Sequence, residues 1–89
     1  MNIDNNLRSI FEAITNNNLD KALQLCDQFI NKQNEHIIFN FKGAIFLKRK
    51  DYDLAKDFFL KSINSKVDFI DPYKNLYVIY DINKEFNQL

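Results

Sequence analysis

Two apolar stripes at helical spacing, separated by a short polar turn, occupy residues 36–69 and constrain the fold more than any other feature. Phe39, Gly43 and Phe46 lie four and three residues apart, so they fall on one face of a helix. Glycine inside a helix costs about 1 kcal/mol relative to alanine, so Gly43 indicates a point where another helix approaches closely. After the turn, a second stripe is formed by Tyr52, Ala55, Phe59 and Ser62. The segment therefore predicts a tightly packed helical hairpin.

The residue types of this hairpin resemble the tetratricopeptide repeat, a pair of antiparallel helices that stacks on further copies of itself. The rings, small residues and key alanine of that pattern fall at Phe39, Gly43, Phe46, Tyr52, Ala55, Phe59 and Ser62. Two positions depart from it, because Lys42 stands where leucine is usual and Val67 where the closing proline is usual. The resemblance implies an all-α fold, in which about five helices form antiparallel hairpins stacked as a short right-handed solenoid. We expect residues 1–89 to form one such domain.

The flanking segments repeat the helical spacing less clearly. The first helix is predicted from the stripe Leu7, Ile10, Phe11 and Ile14, and the second spans residues 19–32. Ala22 lies 33 residues before Ala55, close to the repeat length, although the alignment leaves the first connecting loop one residue short. A fifth helix is predicted from Asp71 as N-cap, with Pro72 at the first helical position.

The fifth helix is expected to bury one stripe and to leave its other side open. Its buried stripe is predicted to consist of Tyr73, Leu76, Tyr77 and Tyr80. The open side would then carry Ile79, Ile82 and Phe86. Because a stack of repeats needs a polar cap at its end, we expect these three side chains to be covered by a second copy or by the tail folding back.

Composition excludes several classes of protein. The 12 basic and 12 acidic side chains cancel, whereas a nucleic-acid-binding domain usually carries a basic excess. We expect no secretory leader, because residues 1–14 contain no long apolar run, and the sequence has no run of about 20 apolar residues that would span a bilayer. Its single cysteine cannot form an internal disulfide, which favours a reducing compartment. We therefore expect a cytoplasmic protein that binds neither nucleic acid nor membrane.

The residues that could carry chemistry are few. Cys26 falls on the apolar face of its helix and is interpreted as a packing residue, and His36 is placed at a helix start without an orienting partner. One cysteine and one histidine do not build a metal cluster. The basic residues 48–50 are interpreted as the solvated end of a helix. The sequence therefore predicts no enzyme, no cofactor and no metal site.

The resemblance to tetratricopeptide repeats implies a concave surface, lined by the first helix of each hairpin, that holds a peptide or a helix. Mapped onto this chain, the partner-binding residues are Ile37, Asn40, Phe41, Ala44, Leu47, Lys48, Lys74, Val78 and Ile82. The alternative for Phe41 and Leu47 is an ordinary contact with the first hairpin. Some tetratricopeptide domains grip a C-terminal carboxylate with a clamp of paired lysine and asparagine residues. That clamp is not reproduced here, because the residue four positions after Asn40 is Ala44 and the residue four positions after Lys74 is Val78.

The function predicted on this basis is protein–protein interaction, as a small adaptor or chaperone-like scaffold that binds a peptide or an amphipathic helix. Two alternatives stay open. One is a structural subunit of a homo-oligomer, with a homodimer formed through the C-terminal helix. The other is a small inhibitor or immunity protein.

Overall fold

The computed structural model of the protein describes the backbone of residues 4–87 and the side chains of residues 4–84. Five helices and no strand occupy this range, which confirms the all-α prediction. They are α1 (Asn5–Thr15), α2 (Leu19–Phe29), α3 (Glu35–Lys48), α4 (Tyr52–Ser65) and α5 (Asp71–Asn87). None of the helices in residues 4–87 is both long enough and apolar enough to cross a membrane.

Helix α2 ends three residues before the predicted boundary. Ile30 adopts an extended backbone, and the side chain of Asn34 holds the turn that follows. The Nδ2 of Asn34 donates to the carbonyl oxygen of Phe29 at 2.9 Å, and its Oδ1 accepts from the N–H of Asn31 at 2.8 Å. Asparagine side chains compete in this way for backbone groups that would otherwise continue a helix.

Helix α3 lies at the centre of the fold and contacts all four other helices. Within residues 4–87, α2 and α4 do not contact each other, whereas α3 contacts both α1 and α5. The hairpins α1–α2 and α3–α4 therefore stack so that α1, α3 and α5 lie side by side. This position explains why α3 is apolar on nearly every side, since each side faces a neighbouring helix.

The turns of the two hairpins are built alike. Asn17 and Lys50 each adopt a left-handed backbone with φ of 63°. The next residue then donates its N–H to a carbonyl five residues earlier, from Asn18 to Ala13 at 2.8 Å and from Asp51 to Phe46 at 3.0 Å. This bonding pattern is the Schellman motif that closes a helix end. The two loops therefore have the same length, and the prediction that the first loop is one residue short is wrong.

Equal loops align the two hairpins at an offset of 33 residues, which places Ile10 at the position of Gly43 and Cys26 at that of Phe59. A Cβ atom on Gly43 would lie 2.4 Å from the Phe59 ring, so the predicted close approach at this glycine is confirmed. In the first hairpin both Ile10 and Cys26 are fully buried in one cluster. The second hairpin thus combines the small Gly43 with the large Phe59 ring, whereas the first hairpin combines the large Ile10 with the small Cys26 thiol.

The core consists of two clusters that meet at α3. The first joins α1 and α2 to Ile38 and Ile45 of α3. The second is built from Ala55 and Phe59 of α4 with residues of α5, and Leu47 of α3 packs against it. Ala55 is fully buried, as its prediction at a helix crossing requires. Helix α3 therefore contributes to both clusters and connects them.

An aromatic stack on the α3–α4 hairpin was not expected from the sequence. The Phe58 ring lies between Phe39 and Phe46, at centroid distances of 6.4 and 5.6 Å. The Nζ atoms of Lys42 and Lys61 lie 5.5 and 4.9 Å from the Phe58 centroid. A cation over an aromatic face is attracted by the ring quadrupole. Lys42, which departs from the tetratricopeptide pattern, therefore packs on this ring, and its ammonium group also pairs with Asp27 at 2.6 Å.

The buried face of α5 differs from the prediction. Leu76 is buried as predicted, but the other buried residues are Pro72 and Ile79, whereas the predicted tyrosines at 73, 77 and 80 are exposed. The observed stripe lies one residue earlier than the predicted one, which corresponds to a rotation of about 100° around the helix. Tyrosine accounts for the error, because a buried hydroxyl needs a hydrogen-bond partner and a purely apolar side chain does not.

The expectation for the open side of α5 is wrong for the same reason. Ile79 is 1% exposed and belongs to the core of this chain, so no second copy is needed to cover it. Ile82 is half-buried, and the Phe86 side chain lies outside the described residues. The helix continues to Asn87, so this part of the tail does not fold back. Asp71 is already the first helical residue rather than the N-cap, which moves the start of the helix by one position.

Candidate interaction groove

An apolar groove of about 590 Å³ lies between α1 and α3. Its lining consists of Leu7, Arg8, Phe11, Glu12 and Phe41. Leu7 and Phe41 are half-buried and pack against the first core cluster, so the floor of the groove is held by the core. Phe11 is 59% exposed, and its ring forms the open part of the surface.

The position of Phe11 follows from the register of the two hairpins. On α1 the buried positions are Ile10, Ala13 and Ile14, and Phe11 lies about 100° around the helix from Ile10. At the offset of 33 residues, Phe11 corresponds to Ala44, which the sequence had assigned to the partner-binding surface. Helix α1 therefore extends the surface that was predicted on α3. The sequence would have predicted this extension if the two turns had been recognised as equal in length.

The predicted partner-binding residues of α3 take different positions. Phe41 lines the groove and also packs against the first cluster, as its alternative interpretation proposed. Leu47 packs against the second cluster instead of the first hairpin. Ile37 and Ala44 are half-buried.

The two polar residues predicted on α3 are engaged within the chain. Asn40 is buried, and its Oδ1 accepts from Nδ2 of Asn75 at 3.0 Å, which joins α3 to α5. The Nζ of Lys48 donates to the carbonyl oxygen of Ile14 at 3.0 Å, at the C-terminal end of α1. Arg49 pairs with Asp20 of α2. Lys48 and Arg49 of the basic run therefore connect the two hairpins, and Asn40 does not belong to the open surface.

The predicted residues of α5 lie apart from the groove. Lys74 and Val78 are exposed, and Ile82 is half-buried. Helix α5 contacts α3 and makes no contact with α1 within residues 4–87. A ligand that reached both places would have to cross α3.

The charged residues at the groove balance each other. Arg8 and Glu12 are exposed on α1, one helical turn apart, and they give the rim one charge of each sign. The groove therefore has no excess charge that would attract a phosphate or a carboxylate. Its main property is the apolar surface of Leu7, Phe11 and Phe41.

The residues with potential chemistry lie away from the groove. Cys26 is fully buried, and burial raises the pKa of its thiol to about 11. This thiol is neutral near pH 7 and packs as a small apolar group, in agreement with its prediction. Burial lowers the pKa of His36, whose ring lies edge-on to Phe69 with centroids 5.0 Å apart.

The fold and the groove define a class, an all-α stack of helical hairpins with an apolar groove between helices. Comparison of the chain with protein-family models, with curated proteins and with solved structures finds no match in any of the three. The resemblance to tetratricopeptide repeats therefore stays an interpretation of the residue pattern.

Proposed function

We propose that this protein is a tetratricopeptide-like binding module, a small adaptor or chaperone-like scaffold, that holds an amphipathic helix or peptide of another protein in the groove between α1 and α3. The observation that carries the proposal is the Phe11 ring, 59% exposed above an apolar floor. A contiguous apolar surface bordered by polar residues is typical of interaction sites. The cytoplasmic location belongs to the same proposal and is supported by the unpaired, buried Cys26.

An amphipathic helix suits this groove better than a charged ligand. Leu7 and Phe11 lie four residues apart on α1, about 6 Å along the helix axis. A ligand helix presents apolar side chains at the same interval and can place them between Phe11 and Phe41. Arg8 and Glu12 can then pair with charges of either sign beside its apolar face, which contributes to orientation more than to affinity.

Binding fits the chemistry of the chain better than catalysis does. Reactive cysteines are exposed and carry a lowered pKa, whereas burial raises the pKa of Cys26 to about 11. Among the described side chains, the His36 ring packs against Phe69 and forms no ion pair with a carboxylate.

The test is affinity capture from the native cell with mass spectrometry, followed by a binding measurement on a peptide from the captured partner. Phe11→Ser should weaken binding at least about tenfold, because it removes the exposed ring. Leu60→Ser is the matched control, since Leu60 is an exposed apolar residue on α4. Both variants should keep their melting temperature, because exposed substitutions change stability by about 0.5 kcal/mol or less. If Phe11→Ser binds as tightly as Leu60→Ser, the groove is not the binding site.

The double variant Val78→Ser/Ile82→Ser tests whether the ligand also reaches α5. Weaker binding with an unchanged melting temperature would extend the site across α3, as the sequence predicted. Unfolding of this variant would show that Ile82, which is half-buried, belongs to the core.

A further inference from the structure

Helix α5 carries a row of exposed tyrosines about 100° around the helix from its buried stripe. Tyr77 is 72% exposed, Tyr80 54% and Tyr73 41%. Tyr77 and Tyr80 line a shallow hollow of about 200 Å³ together with Asp81 and Lys84. Aromatic residues are enriched at interfaces between proteins, where tyrosine combines an apolar ring with a polar hydroxyl. This surface is separate from the groove, which lies on α1 and α3.

The residues around Tyr77 have a symmetric arrangement with opposite charges. Tyr73 lies four residues before Tyr77 and Tyr80 three residues after it. Lys74 lies three residues before Tyr77 and Asp81 four residues after it. All five side chains are exposed and fall within an arc of about 120° around the helix. If two copies of this helix are placed antiparallel with Tyr77 against Tyr77, Tyr73 of one copy lies opposite Tyr80 of the other. Lys74 of one copy then lies opposite Asp81 of the other.

We propose that α5 pairs with α5 of a second copy of this chain, antiparallel, about a two-fold axis that passes by Tyr77. In this arrangement Tyr77 lies against the partner's Tyr77, and Tyr73 lies against the partner's Tyr80. Lys74 forms an ion pair with the partner's Asp81, and the symmetry repeats that pair on the other copy. A two-fold interface uses the same patch on both subunits, so it requires a self-complementary surface.

The charges select both the occupant and its direction. In a parallel pair each residue beside the seam lies diagonally across from its own copy, so Lys74 would come beside the partner's Tyr73 and Asp81 beside the partner's Tyr80, and no ion pair would form. In the antiparallel pair both contacts join opposite charges. A self-complementary pattern of this kind favours a second copy over an unrelated partner, because an unrelated partner would have to match it by its own sequence.

One ring of the tyrosine row is also held in place before association. The Tyr73 hydroxyl donates to the carbonyl oxygen of Val67 at 2.7 Å, which fixes that ring against the loop before α5. A side chain that is already ordered loses less entropy when it enters an interface. Because one helix from each copy is a small interface, the dimer should dissociate in the micromolar range. This dimer leaves Phe11 and the groove free. Because Lys74 contacts the second copy, it would no longer belong to the predicted partner-binding residues.

The experiment is sedimentation equilibrium of the purified chain at about 5–500 μM and low ionic strength, where ion pairs are least screened. The mass should rise with concentration from the 10.6 kDa of one chain towards twice that value. Lys74→Asp and Asp81→Lys should each weaken the dimer about tenfold, because both ion pairs become like-charge contacts. Lys21→Asp, an exposed reversal on α2, is the control and should change nothing.

Mixing the two weakened variants gives the decisive result. Lys74→Asp offers two carboxylates and Asp81→Lys offers two ammonium groups, so the mixture should form heterodimers that neither variant forms with itself. A wild-type chain that stays at the mass of one copy over the whole range would overturn the proposal. So would a mixture that associates no better than the separate variants.

A second measurement does not depend on charge. Tyr77→Cys should form a disulfide-linked dimer on mild oxidation, because the two-fold axis places the new thiol opposite its own copy. Lys21→Cys is the control, and cross-linking at equal rates would contradict contact through α5. The native Cys26 does not compete, since it is fully buried.

Discussion

Replacement of Gly43 by alanine tests the packing at the centre of the fold. A Cβ atom at this position would lie 2.4, 2.5 and 2.8 Å from three carbon atoms of the Phe59 ring. Carbon atoms in contact are normally about 3.5–4.0 Å apart, so the ring would have to move by about 1 Å. Phe59 is fully buried, so its ring has no contact with solvent into which it could move.

The expected net effect of Gly43→Ala is a loss of about 1–2 kcal/mol. Overpacking of a filled core costs about 1–3 kcal/mol, and the steric overlap with Phe59 places this site in the upper half of that range. Alanine returns about 1 kcal/mol because it favours the helix more than glycine does. For a domain of this size the melting temperature should fall by about 5–15 °C.

Thermal unfolding followed by far-ultraviolet circular dichroism measures this change. Ala44→Gly, at the next position of α3, calibrates the helix-propensity term and should cost about 1 kcal/mol. In a Phe59→Leu background the ring is gone, so Gly43→Ala should become neutral or stabilising, with a coupling of at least about 1 kcal/mol. A higher melting temperature for Gly43→Ala alone would refute the close approach of α3 and α4 at this point.

Two further substitutions test the core. Ala55→Leu adds volume at a fully buried helix crossing and should cost about 1–3 kcal/mol; an unchanged melting temperature, or a loss equal to that of Ala44→Leu at a half-buried site, would contradict tight packing there. The pKa of the Cys26 thiol is raised from 9.0 to about 11 by burial, so its stabilising effect is complete below pH 9 and is lost as the pH rises towards 11. The difference in unfolding free energy between the wild type and Cys26→Ala, measured in urea, should therefore shrink by about 1–2 kcal/mol between about pH 8 and pH 10.5; a constant difference would contradict the burial of this thiol.

The sequence was sufficient to predict that five helices form and which residues pack inside the α3–α4 hairpin. Gly43, Ala55 and Phe59 were identified from helical spacing alone, because a small residue opposite a large ring has few explanations other than close packing. The equal turns were missed because they depend on backbone hydrogen bonds. Asn17 and Lys50 differ in chemistry but adopt the same left-handed conformation.

The face of α5 was not predictable by the same reasoning. Tyrosine is both large and polar, so a stripe of tyrosines at helical spacing fits a core and fits an open surface equally well. The choice depends on which residues α4 presents to α5, and that is a property of the fold. Phe11 illustrates the same limit, since its stripe is shared between the core and the groove.

The position of α3 between two clusters has a consequence for how the protein opens. Ile38 and Ile45 attach α3 to the first cluster, and Leu47 attaches it to the second, so neither cluster requires the other to be complete. Partial opening can therefore begin at either end, with α1 and α2 separating as one unit and α5 as another, while the rest stays folded. We expect the backbone amides of α3 to become accessible to hydrogen exchange with solvent only when both clusters are lost. We therefore expect the middle helix to exchange slowest, whereas the tyrosine row of α5 and the α1 side of the groove lie on the parts that open first.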